Sequence, residues 1–121
     1  MPAAREDYLI RLIQQLGEVL RRLRQRLTGK VDATDAVEID REAGTAIATL
    51  LGPQAPLLQQ LDAASAVRLV GDADRVALWI TLLRVQADAR RADQRRTDDS
   101  ADRLSARAAA LEEVAAQQTR S

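Results

Sequence analysis

The stretch Leu9-Ile10-Arg11-Leu12-Ile13-Gln14-Gln15-Leu16-Gly17-Glu18-Val19-Leu20-Arg21-Arg22-Leu23-Arg24-Gln25-Arg26-Leu27 decides the fold class. Its apolar residues fall at Leu9, Ile13, Leu16, Leu20, Leu23 and Leu27, with spacings of 4, 3, 4, 3 and 4. Leu12 and Val19 widen the stripe. A strand needs a period of two, whereas this spacing puts every one of these side chains on one face of a helix. Glu6 and Asp7 stand in the first turn and Arg24 and Arg26 in the last, where they complement the helix dipole. Thr28-Gly29 supplies a stop, so the spacing predicts a helix over residues 5–27.

Working outward, Thr34 or Asp35 is a candidate cap for a second helix over residues 35–51, and Asp35 with Glu38 has the form of a capping box. Ile39, Ala43, Ile47 and Leu50 form its apolar face, and Gly52-Pro53 ends it. Short helices are expected over residues 56–71. Pro56 stands in the first turn of one, and Asp62 caps the next, which stops at Gly71. Asp72 or Asp74 then opens the most apolar segment, Val76 to Leu83, whose Leu, Ile, Val and Trp residues cover most of the helix circumference; such a helix is central. A polar break at Thr97-Asp98-Asp99 and a last, Ala-rich helix complete a hairpin over residues 73–116. The tail, residues 117–121, is expected to fray. With no strand-period run anywhere, the chain reads as one all-α domain of consecutive antiparallel helices.

Composition narrows the chemistry. The 121 residues carry 18 Lys plus Arg against 18 Asp plus Glu, with no His, no Cys and no Phe. Without imidazole or thiol there is no Ser-His-Asp triad, Cys-His pair, disulfide framework or zinc ribbon. Ser65, Ser100 and Ser105 therefore lack the usual base. Ala accounts for 23 residues, so a hydrophobic share of 46% overstates the volume available to a core. Gly29-Lys30 holds the only Lys, but Arg24 and Val31 stand where a phosphate-binding loop needs Gly and Ser/Thr. No cofactor is implied.

Asp35, Glu38 and Glu42 share a helix face and form the candidate Mg²⁺ or acid–base group. First-turn carboxylates also favour a helix with no ligand at all. Arg90, Arg91, Arg95 and Arg96 interleave with Asp88, Asp93 and Asp98, a pattern of intrahelical pairs. Balanced charge and only two aromatic residues, Tyr8 and Trp79, disfavour nucleic-acid binding. The ring of Tyr8 is expected to pack beside Leu9 and Leu12. No run of 18 apolar residues is present and the opening residues lack a secretory pattern, so a cytoplasmic location is expected.

A resemblance adds to this reading. On Glu6-Asp7-Tyr8-Leu9-Ile10-Arg11, Ile13, Leu16-Gly17, Leu20 and Leu23, and again on Leu69-Val70-Gly71-Asp72 before Val76–Leu83, the chain resembles a group of small bacterial proteins without an assigned activity. These open with such a helix and continue into tetratricopeptide-like helices. The resemblance implies an all-helical fold and assigns no residue a role; Gly52-Pro53 and Pro56 depart from a regular repeat. The function expected is non-enzymatic. It is a helical module that binds a protein partner, or a second copy of itself, through Leu9, Ile13, Leu16, Leu20, Leu23, Arg22, Arg26 and Trp79. Two alternatives stand beside it: an accessory subunit of a larger, membrane-associated assembly contacted through the Arg-rich end of helix one, and a Mg²⁺-dependent enzyme using Asp35, Glu38 and Glu42.

Overall fold

The computed structural model describes the backbone of residues 3–120 and the side chains of residues 7–119. Ser121 of the expected tail and the side chains of Arg5 and Glu6 lie outside the described residues. The chain is all-α: α1 (Ala3–Leu27), α2 (Ala33–Leu51), α3 (Ala55–Gln60), α4 (Ala63–Val70), α5 (Ala73–Ala92) and α6 (Ser100–Arg120). A single 3₁₀ turn, Gly52–Gln54, joins α2 to α3.

Three aspartates start three of these helices in one way. Asp32, Asp62 and Asp72 are extended, and each carboxylate accepts the backbone N–H three residues on, from Asp35 (2.7 Å), Ser65 (3.0 Å) and Arg75 (3.0 Å). For α2 this corrects the expected Thr34 or Asp35 cap. The helix begins two residues earlier because Asp32 reaches the N–H of Asp35, which leaves Asp35 inside the first turn.

The stops differ as well. Gly52 (φ 71°, ψ −155°) and Gly71 (φ 77°) take positive φ. For Gly52 that conformation is essentially closed to other residues, and Pro53 independently bars its predecessor from continuing the helix. Gly29 does not take positive φ; α1 ends where the Thr28 hydroxyl donates to the Gln25 carbonyl at 2.7 Å. At the other end of the chain, α6 continues through Gln117–Arg120 instead of fraying, with the Thr119 hydroxyl donating to the Ala115 carbonyl.

α5 is the centre. Trp79, Leu82, Val85, Ala87 and Ala89 are each at most 2% exposed, and α5 packs against α1, α2, α4 and α6. The pairings Arg84–Glu112 and Arg91–Asp102 run α6 antiparallel to α5, and Asp40–Arg90 with Arg75–Leu50 does the same for α2. Small residues of α2 sit against α5: Ala43 clusters with Val85 and Ala89, Ala46 joins the core around Trp79, and Gly44 leaves room for Gln86. α1 lies across α2 and α5 with Leu12, Leu16 and Leu23 in the core. Tyr8 is 67% and Ile10 53% exposed, so the Tyr8 ring does not pack as expected.

The Arg-rich stretch works mainly between elements. Arg91 pairs with Asp88 along α5, but Arg90 Nε donates to Asp40 of α2 at 3.0 Å and Arg91 reaches Asp102 and Ser105 of α6. The turn between α5 and α6 is fixed by its own charges. Asp93 accepts from the backbone and side chain of Arg95, while Asp98 accepts from Arg96 and from the Ser100 hydroxyl at 2.6 Å. The purely intrahelical pairing expected from the interleaved charges is thus corrected: residues 93–99 form a turn that ends the helix, and its cations reach neighbouring helices.

Candidate functional site

The crossing of α1 over α2 leaves a groove of about 380 Å³. Leu16, Val19, Leu23 and Ala46 form its floor. Thr45 and Thr49 line the α2 wall, and their hydroxyls donate to the carbonyls of Arg41 and Thr45 one turn back. The wall therefore makes little hydrogen-bonding demand on an occupant.

Cations stand on both rims. Arg26 is neutralised by Glu42 (3.1 Å) and Glu38 (3.5 Å). Arg22 on α1 and Arg41 on α2 are exposed and form no ion pair among the described residues. The groove is consequently apolar below and net positive above.

Four of the eight residues expected to bind a partner, Leu16, Arg22, Leu23 and Arg26, meet in this groove. Leu9, Ile13 and Leu20 are half-buried along α1 outside it. Leu16 (7%) and Leu23 (1%) support the chain's own core, so an occupant rests on their edges while Arg22 supplies its reachable charge. From Leu12 onward the stripe of α1 faces its own domain and is not a free face for a second copy.

The acidic face is divided by the fold. Glu38 and Glu42 face Arg26, and Asp35 donates its backbone N–H to Asp32. Among the described residues no three Asp or Glu side chains converge as cation ligands would. Three groups carry perturbed carboxyls, all through partners on the surface: Asp62 is lowered by Ser65, Asp98 by Ser100 and Glu112 by the Arg84 guanidinium.

Trp79 shares the core with Leu12 and Leu16 of α1 and also lines a second, larger cleft of about 520 Å³ between α2 and α6. Its indole N–H is buried and has no hydrogen-bond partner among the described residues. Above the ring stands Arg107 of α6, its guanidinium carbon 5.7 Å from the centroid. Reading the sequence missed Arg41, Arg107 and Asp40. Each sits at a polar helix position with nothing local to single it out, and each gains meaning only from a helix far away in sequence.

Comparison with protein-family models, with curated proteins and with solved structures finds no match for this chain. Among the described residues no helix is long and apolar enough to cross a membrane. What is shown is an all-helical fold with a basic-rimmed apolar groove and a tryptophan-floored cleft.

Proposed function

We propose that this protein is a non-enzymatic helical interaction module that seats an acidic, amphipathic helix of a protein partner in the groove between α1 and α2. The observation that carries this reading is the pairing of an apolar floor, Leu16, Val19, Leu23 and Ala46, with unpaired Arg22 and Arg41 on facing rims. An amphipathic helix lays its apolar face into such a groove, and acidic flanks meet the two guanidiniums. The tetratricopeptide-like character of the α5–α6 hairpin belongs to the same reading, since arrays of such helices bind partners through grooves between helices.

Backbone-amide NMR of the isotopically labelled chain tests it. Three helical peptides share one apolar face and differ in acidic, neutral or basic flanks. The acidic peptide is expected to bind most tightly and to perturb amides of α1 and α2 around Arg22 and Thr45. Replacing both Arg22→Glu and Arg41→Glu should cost about tenfold or more in affinity for it and reverse the charge preference. Equal affinity for acidic and basic peptides, or perturbations confined to other helices, would overturn the proposal.

A further inference from the structure

The cleft between α2 and α6 has a different character from the α1–α2 groove, and no residue of it enters the reading above. Ile47 of α2, Leu83 of α5 and Leu104 of α6 make its apolar sides, and Gln59 of α3 lies along its lining. Arg107 is the cation at its mouth. It is half-buried, and desolvation holds its guanidinium below the usual arginine range. Its one hydrogen bond among the described residues runs from Nη2 to the Leu58 carbonyl at 2.9 Å, and it forms no ion pair there.

Taking a guanidinium partly out of water with no carboxylate in contact carries a desolvation cost. The other cation of the lining, Arg90, has its counter-ion in Asp40, which it shares with the Gln86 amide. Arg107 has none. Beside it, Trp79 buries an N–H donor that the chain does not satisfy, a rare arrangement in a folded protein. A cation with a backbone acceptor but no contact carboxylate, and a buried donor without a partner among the described residues, thus stand together at one cleft of mixed polar and apolar lining, whose volume lies in the range of small-molecule sites.

We propose that this cleft binds a small organic acid, a single carboxylate carried on an apolar body, with the carboxylate at Arg107 and the body along Ile47, Leu83 and Leu104. The carboxylate supplies the contact counter-ion that Arg107 lacks, and the apolar body packs on the edges of Leu83 and Leu104 beside the Arg107–Trp79 pair.

Trp79 is the only tryptophan, so its fluorescence reports on the cleft directly. The intact chain is titrated with octanoate, with octanamide as the uncharged twin and octylamine as the cationic one. Octanoate is expected to give a saturable change in emission, and octanamide and octylamine a much weaker one. Arg107→Gln should weaken octanoate binding by about tenfold or more, and Arg107→Lys by less, since the charge remains but the fork is lost.

Gln59→Glu changes an exposed position and places a competing carboxylate along the lining; it too should weaken binding while circular dichroism shows an unchanged helical fold. The pair Arg22→Glu with Arg41→Glu should leave the octanoate titration unaltered, so this proposal and the groove reading fail separately. Octanamide binding as tightly as octanoate, full affinity in both Arg107→Gln and Gln59→Glu, or no saturable response to octanoate would overturn it. So would a response obtained only with a short apolar peptide bearing a free C-terminus and never with octanoate.

Discussion

Asp40 shows how much one carboxylate can organise. It stands on α2, only 15% exposed at its side chain. It accepts from the Gln86 amide at 3.1 Å and from Arg90 Nε at 3.0 Å, with the Arg96 guanidinium at 4.0 Å. Those donors come from α5 and from the turn after it, so α2, α5 and the α6 entry meet at one acceptor. Removing it strands Arg90, which is itself only 24% exposed. Asp40→Ala is therefore expected to destabilise the chain by about 1–3 kcal/mol in urea unfolding, because its partners keep their desolvation cost without the compensating charge. Asp40→Asn retains hydrogen-bonding capacity and should cost less. Arg84–Glu112 is bidentate but lies on the surface, where solvent screens it. Nothing near Asp40 in sequence announces this role. Gln86 and Arg90 are 46 and 50 residues away, and a pair at that separation becomes visible only when the helix packing is known.

Among the elements, local signals were legible and lateral ones were not. The 4-3 spacing of α1, the Asp62 cap, the Gly52-Pro53 and Gly71 stops and the all-round apolarity of α5 are properties of contiguous residues, and each has the structural counterpart its chemistry requires. Which neighbour a stripe faces is a property of two segments at once. The periodicity of Leu9 to Leu27 cannot tell a core face from a partner face, since both need the same leucines. The structure assigns the stripe to the chain's own core from Leu12 onward and leaves Tyr8 and Ile10 exposed. This division has a measurable consequence. Leu23→Ala should cost about 2–5 kcal/mol in chemical unfolding, as a fully buried leucine does. Ile10→Ser, on the same helix but 53% exposed, should stay within about 0.5 kcal/mol. Equal effects of the two would mean that α1 is docked along its whole length or not at all. The candidate groove was half legible: its leucines and Arg22 belong to the stripe, whereas Arg41 comes from a helix whose register against α1 no local pattern encodes.

For the whole molecule, the missing histidines fix the response to pH. Between about pH 5 and pH 8 no side chain of ordinary affinity titrates, so stability should be flat across that window. Below it the picture changes. Asp62, Asp98 and Glu112 hold their carboxyls below the usual range through Ser65, Ser100 and Arg84. The unfolded chain therefore binds protons at these positions more readily than the folded one. Their contribution is present above the ordinary carboxylate range and is lost as pH falls through the lowered values, beneath about pH 4. Thermal unfolding followed from pH 8 to pH 2 should show a plateau and then a decline, with no step near pH 6.

The accessible surface, 7699 Å², is roughly a fifth above the about 6,500 Å² expected of a compact chain of 13.3 kDa, in keeping with helices spread around one centre and separated by open grooves. That centre, α5, begins only at Ala73. During synthesis α1 and α2 are polymerised with their apolar sides complete before the helix they pack against is made. At roughly 5–20 residues per second, the 20 residues of α5 alone take about one to four seconds to add. For that interval the nascent chain is an amphipathic hairpin without its core. What such a hairpin presents to water is the set of exposed Arg residues on α1 and the carboxylates of α2.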